Sequence, residues 1–173
     1  LLVRDAETEE RGQVRYQIIS NLVSPLIDEA MRLFHHRHPS VIFKSEVQNS
    51  QAIVRMIQQG HVQLGFCLLA RPLVNLPSIR LFREEFRVFC GAEHPLFGKE
   101  TVELRDLRQE PFISFACATE GMGLEPMSVL REGTRLGNRI NGLSTNTEEV
   151  RRMIVNGMGI GILPLAVAQD DIR

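Results

Sequence analysis

The chain has 173 residues, enough for one ordinary domain or two small lobes. Hydrophobic residues make up 43% and charged residues 24%, the balance of a globular chain with a proper core. A net charge of −1 and a pI of about 6.6 supply no broad basic surface, so this stretch is not expected to grip nucleic acid by itself.

In chain order, residues 1–12, LLVRDAETEERG, are charged and end in Gly12, as in a linker or the tail of a preceding helix. RYQIIS predicts a strand over 14–19, followed by the polar pair Ser20 and Asn21. Leu22, Leu26, Ile27, Ala30, Met31, Leu33 and Phe34 recur at helical spacing and predict an amphipathic helix over 25–36. His38-Pro39 ends it, because the residue before a proline avoids helical geometry. Val41, Phe43, Ser45 and Val47 alternate with more polar positions, giving a half-buried strand over 41–47. Asn49 and Ser50 then precede a helix over 51–59, which Gly60 stops. The apolar run 62–69 reads as a strand covered on both faces.

Beyond ARPLVNLPS, a loop with two prolines, residues 81–92 predict a long extended segment that includes Cys90. A turn at His94-Pro95-Leu96-Phe97-Gly98, a short helix over 102–107 and a strand over 112–115 come next. Gly121 and Gly123 open a helix that runs to about Glu132. A strand over 139–143, the polar turn 144–147, a helix over 148–156 and a strand over 160–163 ended by Pro164 complete the order. Strands and helices alternate throughout, the pattern of parallel α/β architecture. The loop near 71–79 divides it into two lobes, with the chain returning to the first near Pro164. No apolar run reaches the roughly 18 residues of a membrane span, and no signal-peptide pattern opens the chain. The start on Leu1 and the stop at Arg173 both fall in mid-element, so a fragment of a longer product is expected.

Three strand–turn–helix units carry short polar residues where α/β sheets hold small ligands, especially anions. Each Ser, Asn or Thr there also serves as an ordinary helix cap, and Thr145-x-x-Glu148 spells a capping box. Convergence of several turns at one sheet edge favours ligand contact, with Asn21 and Ser50 foremost and Thr145 to Thr147 next. Replacing Ser50 or Asn21 by alanine is then expected to weaken ligand response and leave folding intact.

Other constellations lead elsewhere. Gly157-Met158-Gly159-Ile160-Gly161 follows a helix and precedes a strand, the reverse of a dinucleotide fingerprint, so Gly157 is a helix stop and the others allow close packing. His35-His36-Arg37-His38 has no Cys or carboxylate partner at ligand spacing and fits a basic helix end. There is no GxSxG elbow and no convergent carboxylate pair, so no catalytic set, cofactor or metal is expected. Three widely spaced cysteines, Cys67, Cys90 and Cys117, argue against a disulfide scaffold and fit a reducing cytoplasm.

HPSVIFKSEVQNSQAIVRMIQQGHVQLGF resembles the first-lobe signature of the effector-binding domain of LysR-type transcriptional regulators, Phe34 and Pro39 matching its start and Gly60 its helix stop. EEFRVFCGAEHPL resembles the strand and turn that open that family's second lobe, and STNTEEVRRMIVNGMGIGILP its glycine-rich stretch ending in Leu-Pro. The three matches come in the family's order and cover nearly all of residues 13–168.

The resemblance implies a type 2 periplasmic-binding-protein-like fold, two α/β lobes with an effector cleft between them. Residues 13–82 and 163–173 would form the first lobe, its C-terminal part incomplete, and 83–162 the second. Residues 1–12 would end the linker from an N-terminal winged helix-turn-helix that carries DNA binding. Carried over by position, Ser20, Asn21, Asn49, Ser50, Leu68, Phe115, Ala116, Cys117, Thr145 and Thr147 would be the effector-binding residues. The implied partners are a small-molecule effector, an organic acid or other small anion, and further copies of the chain. These would form a homodimer or a tetramer of the full-length protein, pairing helix 25–36 of one chain with helix 122–132 of another.

Two departures from the family pattern stand out. Gln63 replaces the usual acidic residue and would loosen a local contact, and the apolar Leu68 provides no basic clamp. Cys117 lies near the position of the reactive cysteine in peroxide-sensing members, but it has no resolving cysteine after it and reads as a small buried hydrophobe. The alternative reading is a periplasmic solute-binding protein of a transporter, which shares the fold.

Overall fold

The computed structural model describes residues 12–69, 72–116 and 125–172. In its first sheet, β1 (Gln13–Ile18) runs parallel to β2 (Ile42–Val47) on one side and to β3 (Leu64–Phe66) on the other. Between β1 and β2 lies α1 (Pro25–Arg37). Its N-cap Ser24 accepts from the Ile27 N–H at 3.4 Å, Pro25 supplies the preset first position, and the helix ends at His38 before Pro39. Between β2 and β3 lies α2 (Ser50–Gln58), capped by Asn49, whose Oδ1 accepts from the Ala52 N–H at 2.9 Å. Gly60 stops this turn with φ 71°, a left-handed conformation that suits glycine.

The two helices cover opposite faces of the sheet. Phe34 of α1 meets Phe43 edge-on at 5.5 Å, and Tyr16 packs against both Phe43 and Phe66. On the other face, fully buried Ile53 of α2 rests on Gly65, where a Cβ would stand 2.4 Å from the isoleucine Cγ2. Gln63 keeps a local contact, its Oε1 accepting from the Arg15 N–H at 3.3 Å.

The second sheet has the order β4-β7-β5-β6, built from β4 (Phe86–Phe89), β5 (Pro111–Phe115), β6 (Arg139–Ser144) and β7 (Ile160–Pro164). Its central strands are apolar because both faces are covered. Ile113, Phe115 and Leu163 pack with Val150 and Ile154 of α5 (Thr147–Val155) on one face. Phe112, Ile160 and Ile162 pack with Leu136 on the other, beside Leu107 of α3 (Leu104–Leu107) and Met127 of α4 (Glu125–Thr134). The chain continues into α6 (Leu165–Ala168). The glycine string behaves as packing. Gly157 ends α5 with φ 74°, and a Cβ on Gly161 would sit 2.4 Å from Ile154 Cδ1.

Several sequence expectations need correction. β4 runs antiparallel to β7, so the second sheet is mixed rather than parallel. Of 81–92, only Phe86–Phe89 is strand, because β7 offers partners from Gly161 to Pro164 alone; Cys90 falls just outside. The 62–69 run shortens to Leu64–Phe66, since the chain leaves β1 where the Leu68 N–H turns to Ser50 Oγ at 3.2 Å. The cap of α5 is Asn146 rather than Thr145: its Oδ1 accepts from the Glu148 and Glu149 N–H groups at 2.8 and 3.3 Å. Asn146→Ala is therefore expected to cost about 1–2 kcal/mol in urea unfolding, and Thr145→Ala less than about 0.5 kcal/mol. The linker residues 1–11, Cys117 and the glycines Gly121 and Gly123 lie outside the described residues.

Candidate functional site

In both sheets the parallel strands end at one shared cleft, the place where α/β folds bind ligands. Ser20 and Asn21 follow β1, Asn49 and Ser50 follow β2, and Leu68 follows β3. From the second sheet come Phe115 at the end of β5, Thr145 and Thr147 after β6, and Pro164 at the end of β7. Antiparallel β4 brings its first residue, Phe86, to the same edge opposite Pro164. The space between these residues is a partly open cleft of about 50 Å³. Eight of the ten residues expected from sequence thus line one cavity; Ala116 is not among its lining residues, and Cys117 lies outside the described ones.

Polar groups tie the two edges together. Ser20 Oγ and Thr147 Oγ1 lie 2.9 Å apart, and the Thr147 N–H donates to Ser20 Oγ at 3.1 Å. Asn21, at φ 51°, donates from Nδ2 to Glu148 Oε2 at 3.2 Å. Asparagine tolerates this left-handed backbone better than most residues do. Glu148 also accepts from Arg151 Nη1 at 2.6 Å, and Arg151 reaches Asp171 at 2.6 Å. The hydrogen bond to Asp171, reinforced by charge from Asp171 and Glu148, raises the Arg151 pKa further.

The two helix starts at the cleft differ. At α5 the first N–H groups are taken: Thr147 by Ser20 Oγ, Glu148 and Glu149 by Asn146 Oδ1. At α2 the Ala52 N–H goes to Asn49 Oδ1 and the Ile53 N–H to the Asn49 carbonyl. The Ser50 and Gln51 N–H groups have no partner among the described residues. An arriving anion therefore finds free donors at α2, in the positive end of the helix dipole. Ser50 is buried and its Oγ accepts from the Leu68 N–H, so Ser50→Ala orphans a backbone donor and is not neutral for folding.

Sequence reasoning missed Glu84, the one charged residue among the described lining residues, together with Phe86 and Pro164. Burial raises the Glu84 carboxyl pKa. The signal that places these residues is the β4–β7 pairing, a contact between distant segments. Two other features are structural. His94 Nδ1 accepts from the Leu96 N–H at 3.2 Å while Nε2 faces Glu110 at 3.2 Å, which fixes the turn after β4. Cys67 and Cys90 are free thiols whose pKa burial raises, with Glu110 adding to the shift at Cys90, the opposite of an activated thiolate.

The LysR substrate binding domain family matches residues 7–173. The chain belongs to that family. It is 25% identical over 158 residues to the HTH-type transcriptional regulator YybE of Bacillus subtilis (strain 168), covering 90% of this chain and 52% of the regulator. The LysR domain thus spans about half the length of the curated relatives it matches. Among solved structures, it superimposes on the BenM effector-binding domain with its effector benzoate at a TM-score of 0.68 and 19% identity, covering 94% of this chain and 73% of that one. The QuiR effector-binding domain in complex with shikimate gives 0.70 and 19%, covering 89% and 74%. The fold is accordingly the two-lobed, type 2 periplasmic-binding-protein-like fold of LysR effector-binding domains. No helix among the described residues is long and apolar enough to cross a membrane.

Proposed function

We propose that this LysR domain is the effector-sensing unit of a cytoplasmic, DNA-binding transcriptional regulator and has no catalytic role. The supporting observation is the cleft: strand ends of both sheets meet there, and the α2 start keeps two N–H donors unspent. A small carboxylate seated on Ser50 and Gln51 would link the lobe built on the first sheet to the lobe built on the second, in which Leu163 and Pro164 belong with β7 rather than with the first lobe. It shifts the population of lobe arrangements only by binding one of them better than the other. DNA contact belongs to an N-terminal winged helix-turn-helix. Pairing of α1 with α4 in a dimer or tetramer relays the change; Leu26 and Leu33 on α1 and Val129 and Leu130 on α4 are exposed apolar residues suited to it. A family of regulators does not favour the solute-receptor alternative.

Ser50→Asp tests the site while keeping an acceptor for the Leu68 N–H. The carboxylate can still accept from the Leu68 N–H, and it suits the first turn of a helix. It places a negative charge where the effector anion would sit. Full-length Ser50→Asp is expected to fold with a lowered melting temperature, to keep its operator affinity and to lose about 100-fold in affinity for a carboxylate effector, measured by calorimetry below the melting transition. Unchanged effector affinity would place the binding site elsewhere.

A further inference from the structure

The cleft has a second pole that the anion site leaves unexplained. Glu84 lines it with no hydrogen bond or ion pair among the described residues, and none of the described lining residues is Lys or Arg. Phe86 and Phe115 line the same space. Glu84 is half-buried, so its carboxylate is partly withdrawn from water with no cation beside it among the described residues, and burial raises its pKa. An unpaired carboxylate is also the group that receives an organic ammonium. An effector with only an anionic end would satisfy α2 and leave Glu84 as uncompensated repulsion in a narrow cavity.

Resting on the reading of this cleft as the effector site, we infer that the effector is a small zwitterion of the amino-acid class. Its carboxylate takes the Ser50 and Gln51 N–H groups, and its ammonium is received by Glu84. Glu84 is then the residue that selects amine-bearing acids over plain carboxylates, by attraction to the first and repulsion of the second.

The test uses the full-length protein, with thermal shift followed by calorimetry. The probes are the proteinogenic amino acids, each matched with its des-amino carboxylic acid and its decarboxylated amine. In the wild type, at least one amino acid is expected to bind about tenfold or more tighter than either matched probe. Glu84→Gln, which removes no bond within the described protein, is expected to abolish that preference by weakening the amino acid and not the des-amino acid. Glu84→Asp is expected to restore part of it. Ser50→Asp is expected to weaken the amino acid and the des-amino acid alike. A des-amino acid binding as tightly as its amino acid, an amino acid indifferent to Glu84→Gln, or a panel with no binder would each overturn the assignment. If binding still fails in Ser50→Asp while Glu84→Gln is silent, the cleft reading stands without its ammonium pole. Binding indifferent to Ser50→Asp removes the cleft reading itself.

Discussion

Gly159→Ala is expected to destabilise the protein by about 3–4 kcal/mol, enough to remove much of a domain's stability. Gly159 leads into β7 at φ 157°, and a Cβ there would stand 2.4 Å from the Pro111 carbonyl oxygen and 2.8 Å from its carbon. Both atoms are backbone at the start of β5, so no side chain can swing aside. Relief requires β7 to move away from β5, and β7 is an interior strand whose Ile160, Ile162 and Leu163 serve both cores. Gly157 is the control. It needs its positive φ of 74°, but nothing lies within 4 Å of an added Cβ, so Gly157→Ala should cost only about 1 kcal/mol. Urea unfolding followed by circular dichroism separates the two. Equal effects would mean that conformational strain, rather than the approach of β7 to β5, decides the glycine requirement.

Ile53→Ala is the second large effect, and it joins stability to binding. Ile53 is completely buried and holds α2 against Gly65. Truncation to alanine removes buried apolar surface and leaves a cavity that a helix seated on a strand fills poorly, for an expected loss of about 3–4 kcal/mol. The residue lies one turn after Ser50, so a helix that settles or tilts carries its two free N–H groups out of register with the second sheet. Affinity for a carboxylate effector should therefore fall with stability, by about tenfold. Ile53→Val should lose only about 1 kcal/mol and keep affinity near normal. Urea unfolding and calorimetry on both variants check this. A destabilised Ile53→Ala that binds normally would show that α2 is positioned by contacts other than this one.

Much of this arrangement is legible in the chain because it is local. His38-Pro39 stops α1 and Gly60 stops α2, and Asn49 caps α2, all within a few residues of the structure they enforce. The convergence of polar turns on one edge follows from strand–helix alternation, and eight of the expected ten residues line the cleft. What local pattern cannot give is pairing at a distance. β4 finds β7 across more than seventy residues, which sets its antiparallel sense, trims the extended segment to four residues and carries Glu84 and Phe86 to the site. Asn146 and Thr145 are equally plausible caps by composition. The choice turns on geometry, with Glu148 engaged by Asn21 and Arg151 rather than folding back onto the helix start. Asn21 and Ser20 read as ligand contacts, yet their polar groups also reach partners 127 residues away.

The Thr147 amide has a consequence for experiment. As the first residue of α5 it has no acceptor within its own helix, and its hydrogen bond runs across the cleft to Ser20 Oγ at 3.1 Å. Exchange of this proton with deuterated solvent therefore follows separation of the two cleft edges, not fraying of the helix that carries it. The neighbouring Glu148 and Glu149 amides, held by Asn146 within the same turn, provide an internal reference. A native backbone proton thus measures cleft opening directly, without a label and before any effector is known.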